Sequence, residues 1–181
     1  MKKRILAALV ALLLILSAAG CARGASDPLA YTKDTFSVSI RGKVCRTAPD
    51  GRGDGGDVTE VSGEVSVDPV AGTATVVFTA PETIADIEAS RGADGVVTVR
   101  RGELTLSGDA FAGLMRLADA LLPAGNVVSR TPVRDGTYTA TVRSGTTETV
   151  MDYAEGATLP ARIRMTDAYG WVDVYINEKT P

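Results

Sequence analysis

From Thr35 onward, hydrophobic and polar residues alternate with a period of two through most of the chain. Phe36, Val38 and Ile40 alternate with Ser37, Ser39 and Arg41, the pattern of a half-buried strand. Val61, Gly63, Val65 and Val67 alternate with Glu60, Ser62, Glu64 and Ser66, and after the turn Asp68–Gly72 the series Ala74, Val76, Phe78 repeats the period. These two segments predict an antiparallel hairpin with one wetted face. Residues 80–95 read as an irregular crossing with a helical turn at Glu82 to Ile87, and "VVTVR" and "ELTL" as two short strands. The period then changes. Phe111, Leu114, Met115, Ala118, Leu121 and Leu122 follow helical spacing, which predicts one main helix over about 109–122. Asp109 is its expected N-cap and Pro123 to Gly125 its stop, with Arg116 and Asp119 on a narrow wet side. Five further strand patterns follow to residue 179, separated by Asp-Gly, Ser-Gly, Glu-Gly and Tyr-Gly turns.

The expected fold is mainly β (α+β): one strongly curved antiparallel sheet, a half-open barrel of about nine to eleven strands. A helix that is apolar nearly all round is explained if that sheet wraps it.

Upstream the pattern is different. "MKKR" carries three positive charges, Ile5 to Leu16 is an uncharged apolar run of 12 residues, and "SAAGC" ends in Cys21. This is the layout of a secretory signal. Twelve residues are too few to cross about 30 Å of hydrocarbon, which takes roughly 20 residues in a helix. Ala18-Ala19-Gly20-Cys21 also resembles the lipobox of bacterial lipoproteins, with Ala18 where leucine is usual. That resemblance implies cleavage before Cys21 and lipid on its sulfur. The expected organisation is a lipoprotein signal peptide (1–20), a lipidated cysteine and tether (21–33) and one domain (34–179). The expected location is a bacterial envelope, on the extracytoplasmic face of a membrane.

Composition narrows the chemistry. Of 19 Lys and Arg against 22 Asp and Glu, removing Lys2, Lys3 and Arg4 leaves 16 against 22, a net charge of −6. An acidic domain without a basic cluster is a poor nucleic-acid binder. Histidine is absent, which removes Ser-His-Asp and Cys-His catalysis and the commonest zinc ligand. Glu60 and Glu64 share a strand face but read as ordinary solvated sheet, and no serine stands in a recognisable motif with a lysine. No catalytic residue, cofactor or firm metal site is expected. Asp50, Asp54 and Asp57 in "DGRGDGGD" are a weak calcium set whose spacing fits no EF-hand. The loop also contains Arg52-Gly53-Asp54 and otherwise reads as a glycine-rich hairpin tip. Cys45 has no partner in the chain once Cys21 is lipidated.

The order of elements, the "VVFTAPETIADI" segment after a hairpin and the late "GATLPARIRMTDAYGWVDVYI" resemble the LolA-like proteins. That family includes lipoprotein carriers, the sigma-factor regulator RseB and mycobacterial lipid-binding lipoproteins. The resemblance covers most of residues 33–178 and implies an unclosed β-barrel with an apolar cavity between sheet and helix. On that basis Phe78, Phe111, Leu114, Met115, Leu121, Leu122, Met165 and Trp171 are the candidate cavity lining, and a lipid or lipoprotein the implied ligand. The alternative is a sensor or interaction module with a dry core, meeting an envelope protein through the sheet edge or the Gly51–Gly56 loop.

Overall fold

A computed structural model describes residues 27–46, 56–134 and 136–177. Eleven strands form one sheet: β1 (Phe36–Arg46), β2 (Val58–Asp68), β3 (Thr73–Ala80), β4 (Glu88–Arg91), β5 (Val97–Arg101), β6 (Leu104–Ser107), β7 (Asn126–Pro132), β8 (Tyr138–Ser144), β9 (Thr147–Tyr153), β10 (Arg162–Asp167) and β11 (Gly170–Asn177). Their spatial order is β6-β5-β4-β3-β2-β1-β11-β10-β9-β8-β7, and every pairing is antiparallel. Two meanders are thus joined where the first strand pairs with the last, Ile40 opposite Ile176 and Val44 opposite Val172. The sheet does not close, so β6 and β7 remain as free edges.

The sheet is mainly β as the alternation predicts, and its inward stripe is the predicted one. Val38, Ile40, Val61, Val65, Val67, Ala74, Val76 and Phe78 are buried on one face, joined by Ala140, Val142, Met151, Ile163, Met165, Val172 and Val174. Two inward positions are glycines, Gly42 and Gly63. A Cβ at either would strike backbone, Asp173 O for Gly42 and Val77 O for Gly63, so the neighbouring strand passes closer than a side chain allows. The β2–β3 register also shifts between Ser62 and Gly63. Glycines and bulges of this kind are how a sheet bends enough to wrap something. The outer face is polar, laced by the cross-strand pairs Lys43–Glu60, Arg143–Glu148, Arg162–Asp173 and Arg164–Asp152.

What the sheet wraps is a single helix of 13 residues, α1, made of a 3-10 segment (Asp109–Met115) that continues as α-helix (Arg116–Leu121). Met115, Leu117, Ala118, Ala120 and Leu121 are fully buried against the concave face. Its N-cap is Gly108, without a side-chain cap bond, in place of the expected Asp109, which is the first helical residue. The irregular crossing contains a strand the alternation missed, β4, too short and too polar (Glu-Ala-Ser-Arg) to show a period. Only Ala89 of its four residues is buried.

The expected tether is corrected at its C-terminal end. A 3-10 turn at Ala30–Lys33 inserts Tyr31 into the core, where it packs edge-on against Phe36. The Tyr31 hydroxyl donates to Leu121 O at 3.0 Å, and the Tyr153 hydroxyl donates to Pro28 O. The chain therefore enters the domain at the rim where β1 begins and β9 and β11 end.

Candidate functional site

Concave sheet and helix do not pack flush along their whole length. At the opposite rim, where β1 ends and β10 turns into β11, two adjoining cavities lie between them. The smaller, about 390 Å³, is walled mainly by apolar groups: Val44, Val61, Phe78 and Ile84 from the first meander, Phe111, Leu114 and Leu117 from α1. The larger, about 630 Å³, lies between the other flank of α1 and strands β8 to β10, with Leu122 and Met165 beside Ser144, Thr147, Thr149, Asp167 and Tyr169. Both volumes fall within the roughly 300–1,000 Å³ of small-molecule sites.

The helix itself sets this division. In a 3-10 segment side chains three apart eclipse one another, so they form straight rows. Phe111, Leu114 and Leu117 make the row that faces the smaller cavity. Ala110, Gly113 and Arg116 make the next row and belong to both. Ala110 and Gly113 are small, so this ridge is low where it separates the two cavities. A Cβ on Gly113 would find nothing within 4 Å. Arg116 is the one tall residue of the row.

Arg116 is not on a wet side as its position in the helical pattern suggested. Its side chain is 12% exposed and that of Asp167 15%, and the guanidinium meets the carboxylate through both terminal nitrogens at 3.1 Å. Its Nε is buried and has no acceptor. Asp119 likewise is held, accepting from Arg91 Nη1 at 2.6 Å. Thr149 is the one fully buried polar side chain among the described residues, and it too lines the larger cavity. A further charged residue of importance is Arg46. It completes the inward stripe of β1 after Val38, Ile40, Gly42 and Val44, is solvent-exposed at the rim, and contributes to both cavities.

The residues expected to line a cavity fall into three groups. Phe78, Phe111 and Leu114 wall the smaller cavity, and Leu122 and Met165 the larger. Met115 and Leu121 are instead sealed in the packing between helix and sheet. Trp171 is corrected: β11 buries Val172, Val174 and Ile176, and Trp171 has the opposite parity, on the convex face across from Cys45. Cys45 is a free, buried thiol on that outer face. Arg46, Thr149 and Arg116 were missed. Arg46 was discoverable, being the sixth position of a stripe whose first five are apolar or glycine.

Other candidate chemistry does not assemble. Glu60 is exposed and paired with Lys43 at 3.1 Å, and Glu64 is exposed on the same outer face. Asp50, Asp54 and Cys21 lie outside the described residues, while Asp57 is exposed. Among the described residues no cluster of three His, Cys, Asp or Glu side chains could hold a metal, and no helix is long and apolar enough to cross a membrane.

No protein-family description matches this chain, and no curated protein matches it in sequence. Among solved structures it is similar to an uncharacterized conserved protein from Thermus thermophilus, at 12% identity and a TM-score of 0.48, covering 85% of this chain and 84% of that one. It is also similar to a LolA superfamily protein from Nitrosomonas europaea, at 11% identity and a TM-score of 0.44, covering 82% of this chain and 88% of that one.

Proposed function

We propose that this protein is a non-enzymatic, lipid-anchored envelope lipoprotein that holds a lipid-like ligand between sheet and helix. The observation that carries the reading is the mainly apolar cavity walled by Phe78, Phe111 and Leu114, open at one rim and bordering a larger, more polar one. A row of ring and branched side chains around unfilled space favours an apolar occupant, because such walls forfeit dispersion contacts when nothing fills them. The leader and Ala18-Ala19-Gly20-Cys21 support export and lipidation at Cys21. The resemblance of the sequence to the LolA-like proteins points the same way.

The test is native mass spectrometry of the chain carrying Cys21→Ser, exported by its own leader, with solvent extraction of anything bound. Co-purified lipid that is lost on Leu114→Trp, with the fold intact by circular dichroism, supports the reading. A clean protein mass, together with no uptake of added long-chain lipid, refutes it and leaves a module that works through its surface.

A further inference from the structure

The lining shared by the two cavities carries a chemical asymmetry. Its two charged residues, Arg46 from β1 and Arg116 from the ridge, are both cations, and they alone among charged residues line both cavities. The carboxylates belong to the larger cavity only, and two of the three are already engaged: Asp167 by Arg116 and Asp119 by Arg91. Arg116 is in turn neutralised by Asp167. Arg46 is different, since no carboxylate of the described residues lies within ion-pair distance of it. It lines both cavities, two positions beyond Val44 on the inward stripe of β1, and is solvent-exposed at this shared neck.

We infer that the ligand is a long-chain amphiphile with an acidic head group, its chain in the Phe78–Phe111–Leu114 cavity and its head at Arg46. This rests on the ligand-binding reading above and specifies its chemistry. Three features make the assignment. The smaller cavity is walled mainly by apolar side chains, with Thr59 and the two arginines as its polar groups, and suits a hydrocarbon portion. The neck offers a planar fork of donors, which matches carboxylate and phosphate oxygens in a bidentate fashion. The larger cavity supplies the hydroxyls of Ser144, Thr147 and Thr149 for whatever follows the acid group. A neutral head would leave Arg46 to water, whereas an acid adds a charge-assisted contact to it.

The experiment compares palmitate, hexadecyl phosphate and hexadecanol, equal in chain length and different in head, by isothermal titration calorimetry on the exported Cys21→Ser chain. Both acids are expected to bind at least about tenfold more tightly than the alcohol, the increment of one charge-assisted contact. Arg46→Gln should abolish that preference while leaving alcohol binding in place, and Arg46→Lys, which keeps the charge and loses the fork, should retain only part of it. Arg46 is exposed, so neither variant threatens folding. A preference for only one acid identifies the head as carboxylate or phosphate. Equal binding of acid and alcohol, unchanged by Arg46→Gln, overturns the head-group assignment and leaves the lipid reading standing. Failure of all three to bind a folded protein refutes the lipid reading itself, and the assignment with it.

Discussion

The hydroxyl of Tyr31 donates to the carbonyl oxygen of Leu121 at 3.0 Å, joining the entry segment to the last turn of α1 across ninety residues of sequence. Leu121 O is a helix-terminal carbonyl with no partner further along the helix, so Tyr31 closes a vacancy that every helix end presents. Removing only the hydroxyl by Tyr31→Phe leaves that buried carbonyl orphaned and is expected to cost about 1–3 kcal/mol. Tyr31→Ala adds a cavity and should cost about 3–5 kcal/mol. Urea denaturation of the two variants checks both the sign and the order.

The same tyrosine gives an alkaline limit. Burial holds the phenols of Tyr31 and Tyr153 well above the usual tyrosine range, because a phenolate there would be desolvated. A pKa raised in the folded state means stability is fully present below the unfolded value, near 10, and falls as pH climbs past it. Denaturation midpoints should be insensitive to these groups up to about pH 9.5 and then decline. The double variant Tyr31→Phe/Tyr153→Phe should be less stable at neutral pH and show a shallower alkaline decline.

Much of this architecture is legible from spacing, because a half-buried sheet must alternate. Where a strand is long and one-sided, as in Val61 to Val67 or Ala74 to Phe78, period and burial agree residue by residue. Legibility fails where a tertiary partner decides. Tyr31 sits in a polar string and is buried only because Leu121 and Phe36 meet it there. Arg116 looks wet on a helical wheel, yet a turn fifty-one residues later brings Asp167 to it. The 3-10 winding that lines up Ala110 and Gly113, just ahead of Arg116, is invisible to a 3.6-residue wheel. Trp171 shows the reverse case: counting parity from Val172 and Val174 places it outside, and aromatic character alone misleads.

Arg116 and Asp167 form a mostly buried ion pair, so removing one partner strands a charge. Asp167→Asn or Arg116→Met is expected to destabilise by about 3–5 kcal/mol. The pairwise replacement Arg116→Met/Asp167→Leu should recover most of that loss. A double-mutant cycle in urea measures the coupling, and additive losses would show that the pair is not a unit.

Two glycines predict opposite signs. Gly113 lies in a helical segment with open space where a Cβ would go, so Gly113→Ala should stabilise by about 0.4–1 kcal/mol. Gly63 faces the Val77 carbonyl at the same position, so Gly63→Ala should destabilise and loosen the β2–β3 pairing. Thermal melts of the two variants, with hydrogen exchange on β2 and β3, separate these effects.

Cys45 is 7% exposed on the convex face. In the Cys21→Ser background its thiol should react with an aromatic disulfide reagent orders of magnitude more slowly in buffer than in denaturant. Burst labelling in buffer would mean that this part of β1 opens readily.

The handle and the mouth of this molecule are at opposite ends. The polypeptide enters beside the start of β1, while Arg46 and the cavities sit at its finish, and 11 extended residues separate the two by about 35 Å. Like the bowl of a ladle, the ligand-sized space is held out from the grip. A grip on the entry segment, residues 27–33, is therefore a strand's length away from the ligand-sized space.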